Sequence, residues 1–376
     1  MKEELFNIAE TLKERLIEMS DYIYHHPELG NQEYEAVKVL TTFLKEHQFD
    51  VKCPVIQLDT AFEAIYDSGK PGLNVAFLCE YDALPEIGHG CGHNMIGVMS
   101  AGAGVILSKA IHEIGGKVYV FGTPAEETNG AKVAMTDAGM FNEMDAVMMV
   151  HPDGFTTESG TSLAMEALQF DYKGRSSHAA SSPEEGINAL NAVIQLFNGI
   201  DALRQHVKSD ARIHGIISKG GVAANVVPEV ATAQFYIRSA TKEYLAEVKE
   251  KVLNVAEGAA LMTGATLEVS NYELSYDDLK TNPVLSQAFN ENIKQLGIKE
   301  IRPASKESGS VDIGNVSNVC PVIHPYIGIT DASLTGHSKE KATATLTDLA
   351  HDRLLIGALA LAYTGYDVLT QSIKLK

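Results

Sequence analysis

Three short apolar runs constrain this chain more than any other feature. Leu73 to Leu78 leads to Asp82 and, around a loop, to Cys91. Lys117 to Phe121 leads into Gly122-Thr123-Pro124-Ala125-Glu126-Glu127, and Ala146 to Val150 ends directly in His151. Runs of this kind, bounded by turn residues and alternating with helical patterns, predict a parallel-rich sheet flanked by helices. Ligands in such sheets bind just beyond the carboxyl ends of the strands. A single His or Glu there would carry little weight. Three successive strand ends supplying metal-type residues, with His337 as a fourth contributor, are hard to explain by packing and point to a metallohydrolase.

The chain has 376 residues, room for two domains or for one domain carrying an insertion. A formal net charge of -19 argues against a nucleic-acid footprint and against attraction to an anionic membrane. The amino terminus runs into an amphipathic pattern (Leu5, Ile8, Leu12, Leu16, Met19, Ile23) with no continuous apolar core of a signal peptide. The most apolar stretch, Leu354 to Tyr363, is too short to span a bilayer and reads as a buried helix. Cys53, Cys79, Cys91 and Cys320 are spaced irregularly, which makes no disulfide framework and fits a reducing cytoplasm.

The strand-helix alternation is interrupted after His151. Leu168 to Lys173 alternates like a strand, and Pro183 to His206 reads as a helix with Ile187, Leu190, Val193, Ile194 and Phe197 on one face. Arg212 to Ser218 and Thr232 to Ser239 read as two strands, Tyr244 to Met262 as a helix, and Thr266 to Tyr272 as a last strand. That order, β-α-β-β-α-β, is ferredoxin-like. The expected organisation is a discontinuous catalytic domain (1–164 and 274–376) with an inserted α+β lid and dimerisation domain (165–273).

The ligand set can be counted against what a metal centre needs. Zinc takes Cys, His and carboxylate ligands in a roughly tetrahedral arrangement, and a catalytic site leaves one position for water. His93, Glu127, His151 and His337 supply four terminal ligands, and Cys91 can be shared as a bridging thiolate. With a shared water, each of two ions then has four bonds, whereas a single ion would be oversupplied. A Cys-x-His spacing by itself is weak, since a buried Cys is usually a small hydrophobe. Neighbouring side chains in a turning segment point apart, so one of Glu126 and Glu127 can bind metal while the other faces the water as general base. A solvated acidic pair is the commoner fate of Glu-Glu; the preceding strand and the Thr123-Pro124 turn argue against it here.

Further motifs extend this reading. They are His26-Pro27-Glu28-Leu29, Tyr81-Asp82-Ala83-Leu84-Pro85, Gly88-His89-Gly90-Cys91-Gly92-His93-Asn94, Thr123-Pro124-Ala125-Glu126-Glu127, Ser177-His178-Ala179-Ala180, Asn225-Val226-Val227-Pro228, Gly309-Ser310-Val311-Asp312 and Gly336-His337. Together they resemble the di-zinc aminoacylase/carboxypeptidase family of metallopeptidases (clan MH). The similarity is greatest to the amidohydrolase branch with aminobenzoyl-glutamate hydrolases, auxin-conjugate hydrolases and related dipeptidases. The resemblance covers essentially the whole chain. It implies Cys91, His93, Glu127, His151 and His337 as ligands of two divalent ions, Glu126 as base, and Asp82 as the carboxylate that orients a metal-bound His. Glu80 stands where the family usually has a His, a place the Cys-Gly-His motif takes over. Zinc is the expected metal, with Mn or Co as alternatives. In the lid, the resemblance implies His178 as an oxyanion donor to the partner subunit's site, Asn225 beside it, and Arg238 as the clamp for a substrate carboxylate. A homodimer follows.

Taken without the family, His178 reads as a surface His in a Ser-rich turn, Asn225 as a turn residue and Arg238 as an edge-strand Arg. His214, His324 and the Ser310/Asp312 loop are lesser candidates, while His25, His26, His47, His112, His206 and His351 read as structural or exposed. Gly102 and Gly104 read as close-packing positions in a helix. The expected activity is hydrolysis of the amide bond in a small N-acyl amino acid, an aminobenzoyl-glutamate-like conjugate or a dipeptide. A cysteine hydrolase with Cys91 as nucleophile would leave the Glu pair, His151 and His337 unexplained. A silent small-molecule binding protein would have no reason to keep Glu126.

Overall fold

The computed structural model describes residues 1–304, 309–330 and 332–375. Helix α1 (Lys2–His25) forms because Leu5, Leu12, Leu16, Met19 and Ile23 recur on one face, and all five are buried. Helix α2 (Tyr34–Glu46) follows. Its first-turn amides have no local cap; the Glu28 carboxylate accepts from the N–H of Glu35 at 2.9 Å and of Ala36 at 3.1 Å. Then come β1 (Asp50–Lys52), β2 (Phe62–Asp67), β3 (Asn74–Cys79), α3 (His93–Ser108), α4 (Ile111–Ile114), β4 (Lys117–Gly122), α5 (Ala131–Asp137), β5 (Ala146–Met148) and β6 (His151–Asp153). The middle of the chain gives β7 (Ala164–Lys173), α6 (Ala189–Leu203), β8 (Arg212–Lys219), β9 (Val230–Ser239), α7 (Lys242–Thr263) and β10 (Thr266–Asn271). The last part gives α8 (Pro283–Gln295), α9 (Ile313–Ser317), β11 (Val322–Ile323), β12 (Tyr326–Gly328), α10 (Lys339–Ala344) and α11 (Asp348–Leu369).

The described residues fall into two compact units, Met1–Thr161 with Leu279–Ser308 and Asn315–Lys376, and Ser162–Asp278 with Gly309–Gly314. The first holds a six-stranded sheet in the order β1-β2-β4-β3-β5-β11. Pairings β3/β4, β3/β5 and β5/β11 are parallel, while β1/β2 and β2/β4 are antiparallel, so the sheet is mixed and parallel-rich. The central β3 is a near-continuous apolar run, as a strand covered on both faces must be. Helix α3 is buried all round. Its glycines serve close packing: a Cβ on Gly104 would stand 2.4 Å from Val120 Cγ2, and one on Gly102 3.1 Å from Leu16. The run Leu354 to Tyr363 lies in α11, whose start is capped by Thr347 Oγ1 accepting the Ala350 N–H at 3.2 Å. No helix among the described residues is long and apolar enough to cross a membrane.

One strand departs from the sequence expectation. The run Ala146 to Val150 reads as a single strand ending at His151, but β5 stops at Met148 and His151 opens a separate two-stranded parallel ladder with β12, opposite Tyr326. The break has its cause on the partner side, where Pro325 lacks an N–H to continue the ladder. Its carbonyl still accepts from the His151 N–H at 2.9 Å.

The second unit is the β-α-β-β-α-β arrangement: an antiparallel sheet, β10-β7-β9-β8, covered on one face by α6 and α7. Leu168, Phe170 and Tyr172 of β7 alternate toward the helices with Ala231, Ala233, Phe235 and Ile237 of β9. The helix expected from Pro183 starts instead at Ala189. Asn188 caps it by accepting the Asn191 N–H at 3.1 Å, and extended backbone at Gly186 separates it from a 3-10 turn over Pro183–Glu185. Strand β8 is an edge, with Ile216 61% and Ile217 45% exposed.

Candidate metal centre

The loop before α3 is shaped by two glycines. Gly92 has φ +87°, and a Cβ there would meet Pro152 Cγ at 2.5 Å, so the glycine lets the Cys91-Gly92-His93 turn close onto the segment that carries His151. A Cβ on Gly90 would stand 3.1 Å from the carbonyl oxygen of Ser338, next to His337. His337 itself sits at φ +56° and Ala125 at φ +60°. Left-handed backbone costs an L-residue about 1–2 kcal/mol. Strain at two such turns, one before Glu126 and one at a candidate ligand, is the kind stored at functional sites.

These turns bring all five candidate ligands together within the first unit. Ligand atoms of Cys91, His93 and His151 lie within 4.8 Å of one another, and so do those of Cys91, Glu127 and His337. Cys91 belongs to both triads. Its Sγ is 3.4 Å from His151 Nε2, while His337 Nε2 is 3.2 Å and His93 Nε2 3.9 Å from Glu127 Oε1. Glu126 joins His93 and Glu127 in a third such group.

Polar partners fix the orientation of each ligand. The Asp82 carboxylate takes His93 Nδ1 at 2.9 Å on one oxygen and the Glu127 N–H at 3.0 Å on the other. That leaves Nε2 of His93 to face the cluster. His151 Nδ1 donates to the Pro152 carbonyl at 2.8 Å, which turns its Nε2 toward Cys91. Burial, reinforced by Lys341, His324 and His93, holds His151 well below its ordinary value, so the ring is neutral and offers a lone pair. Burial works against protonation of His93 as well, but Asp82 and Cys91 outweigh it and hold that group well above its ordinary value.

The donor set fits divalent cations. His93 Nε2 and Glu127 Oε1 are buried and have no hydrogen-bond partner, the condition expected of atoms whose partner is an ion. Thiolate, imidazole and carboxylate at one point are the ligand chemistry of zinc and its neighbours. Burial pushes the Cys91 thiol up to about 11, against the opposing pull of His93.

Sequence motifs gave Glu80 and His324 no supporting role and did not include Glu33 or Lys132, yet all four are buried. Glu33 accepts the Ala125 N–H at 2.9 Å and the Thr60 hydroxyl at 2.7 Å, pinning the turn before Glu126. Glu80 pairs with Lys132 at 2.6 Å, both fully buried, and its other oxygen is 3.5 Å from His93 Nε2. His324, only a lesser candidate by sequence, packs against His151 with ring centroids 5.6 Å apart; it is in none of the ligand groups among the described residues. Glu33 and Lys132 carry no motif of their own, and only the fold brings them to the centre.

The remaining candidates belong to the second unit. His178 Nδ1 accepts the N–H groups of Ala180 and Ser181, each at 3.2 Å, so the ring proton of the neutral form sits on Nε2 as a donor. The Ala179 N–H donates to the Asn225 carbonyl at 3.0 Å, which holds the His178 and Asn225 segments side by side. Arg238 lies on the sheet face away from the helices, opposite Met165 and Arg212, with its Nε buried and unpartnered. His214 packs on Tyr236 in the same sheet, and Asp312 and the Ser310 hydroxyl are buried.

Comparison with known proteins agrees with this picture. Residues 167–261 match a family model described as a peptidase dimerisation domain. The chain is 38% identical over 373 residues to a Xaa-Arg dipeptidase of Mus musculus, covering 95% of this chain and 86% of that protein. It is 32% identical over 309 residues to one of the subunits of p-aminobenzoyl-glutamate hydrolase from Escherichia coli K12, covering 77% of this chain and 64% of the relative. A Bacillus subtilis structure described as a dinuclear metal binding peptidase from the M20 family superposes with TM-score 0.70 at 23% identity, over 96% of this chain and 99% of that one.

Proposed function

The chain belongs to the M20 family of metallopeptidases and is a metal-dependent amidohydrolase, and on that premise we propose that it hydrolyses small dipeptides and N-acyl amino acids at a pair of zinc ions. Cys91, His93, Glu127, His151 and His337 would hold the metals, with Cys91 common to the Cys91/His93/His151 and Cys91/Glu127/His337 triads. The observation that carries the reading is the pair of triads meeting at Cys91, with His93 Nε2 and Glu127 Oε1 buried and making no hydrogen bond. A reducing cytoplasm suits a thiolate ligand, and we place the enzyme there.

When bound, the metals would acidify water and polarise the scissile carbonyl. Glu126, within ligand distance of Glu127 but not needed to complete either triad, takes the proton of the attacking water and returns it to the leaving nitrogen. Residues 165–273 act as the lid and dimerisation element. His178 donates from Nε2 to the developing oxyanion in the partner subunit's site, with Asn225 beside it. Arg238 clamps the substrate carboxylate, a task to which its planar fork of donors is matched. Asp82 keeps His93 in the tautomer that binds metal.

Dipeptides ending in a basic residue are the first substrates to try, because the mouse relative is a Xaa-Arg dipeptidase and a net charge of -19 attracts cationic substrates. The test is a mass-spectrometric screen of dipeptides and N-acyl amino acids with zinc- or manganese-loaded protein. Turnover abolished by a chelator and restored by metal supports the reading. Turnover indifferent to the chelator but lost on thiol alkylation would transfer the chemistry to Cys91.

A further inference from the structure

A cavity of about 410 Å³ in the first unit is lined by Phe155, Thr156, Lys299, Arg302, Thr330 and Arg353, and by none of the candidate metal ligands. Three cations around one hollow run against the composition of a chain with net charge -19. Among the described residues Glu300 is the single carboxylate on the wall, set against three cations. Among the described residues, no ion pair neutralises Lys299, Arg302 or Arg353. The Nε of Arg353 is buried and makes no hydrogen bond.

The wall is also built in advance. The Arg302 guanidinium lies 3.2 Å above the Phe155 ring, which fixes its plane. Its backbone is tied on both sides, the Arg302 N–H to the Thr156 carbonyl at 2.9 Å and the Glu158 N–H to the Arg302 carbonyl at 3.0 Å. Thr156 Oγ1 already accepts the Gly328 N–H at 3.0 Å, and Thr330 Oγ1 the Ala332 N–H at 3.3 Å. Each hydroxyl proton is therefore left to donate. Two guanidiniums, an ammonium and two hydroxyl protons give a wall dominated by donors.

We propose that this hollow binds a small organic anion carrying a doubly charged oxyanion or two carboxylates, at a site separate from the metal centre. The volume exceeds what inorganic phosphate fills and falls in the ~300–1,000 Å³ range of small-molecule pockets. The Phe155 ring and Ile298 offer apolar surface for the body of such a ligand.

The test is isothermal titration of the metal-loaded protein with glycerol phosphate and, separately, with succinate, at ionic strength fixed by potassium chloride. Because the metals also take oxyanions, the comparison between variants decides. At least one of the two probes should bind with Kd of about 1 mM or tighter, and which one tells a phosphate ester from a dicarboxylate. Arg353→Met should weaken that binding about tenfold or more, as expected for losing a charge-assisted donor pair. Lys299→Ser, at an exposed position that does not endanger folding, should weaken it by a factor of about three or more, a charge effect that added salt also erodes. Binding no tighter than the salt control, or binding unchanged in Lys299→Ser and in any Arg353→Met protein that folds, would overturn the proposal.

Discussion

Glu126 and Glu127 are adjacent in a turn, yet only Glu127 is needed to complete a triad with Cys91 and His337. Glu126→Gln should therefore keep both metals, measured by inductively coupled plasma analysis, and lower kcat by about a hundredfold or more, the scale of lost general acid–base help. Loss of metal along with activity would exchange the roles of the two carboxylates. Cys91→Ser should do the opposite and weaken metal binding at both positions, since a hydroxyl is a poor substitute for a bridging thiolate. Retention of both ions would remove Cys91 from the centre. Cys91, Glu126 and Glu127 stood out in the sequence because their motifs follow apolar runs, directly or around a loop. The Glu80–Lys132 pair did not, because an ion pair between residues on β3's exit and α5 is a product of folding. Lys132→Met strands the buried Glu80 carboxylate and should cost about 3–5 kcal/mol in urea unfolding, while adding Glu80→Gln should restore much of it. Equal destabilisation in the single and double variants would mean that the loss is one of packing.

At the scale of elements, strands β3 and β4 stood out as apolar runs of strand length, and the β-α-β-β-α-β order of the second unit could be read from alternation and helical period together. Boundaries were less visible where they depend on a distant partner. The break between β5 and β6 depends on Pro325, far along the chain, and the start of α6 on a single side-chain bond from Asn188. The junction into α3 concerns the site most directly. Gly92→Ala would place a methyl 2.5 Å from Pro152 at a φ of +87°, so both sterics and backbone resist it. The first turn of α3 must then shift, taking Cys91 and His93 with it. The expected result is metal affinity weakened by a factor of about ten or more, as for loss of a ligand-orienting contact, with the helical circular dichroism signal retained. Undiminished affinity would show that the loop tolerates the displacement and that its geometry is not what sets the cluster.

For the whole molecule, the mixed sheet with an inserted α+β unit was readable because the interruption after His151 has its own order of elements, whereas the face that each unit turns to a partner has no one-dimensional signature. The match of residues 167–261 to a peptidase dimerisation domain and the edge strand β8, with Ile216 and Ile217 exposed, favour pairing with a second copy. If such a pairing brings His178 to the partner subunit's metals, the two active sites depend on each other. This gives a test that no single variant supplies. His178→Ala and Glu126→Gln should each be nearly inactive alone, yet activity should return when they are mixed. In a mixed dimer, one site combines an intact Glu126 with an intact His178 from its partner, while the other site lacks both. Random exchange makes half of the dimers mixed, so recovery should approach about a quarter of wild-type activity per total sites. Exchange is followed independently, by native mass spectrometry of the two variants with distinguishable tags. Recovery near that level places His178 in trans. An inactive mixture in which exchange is complete means that His178 acts within its own chain or takes no part in the reaction.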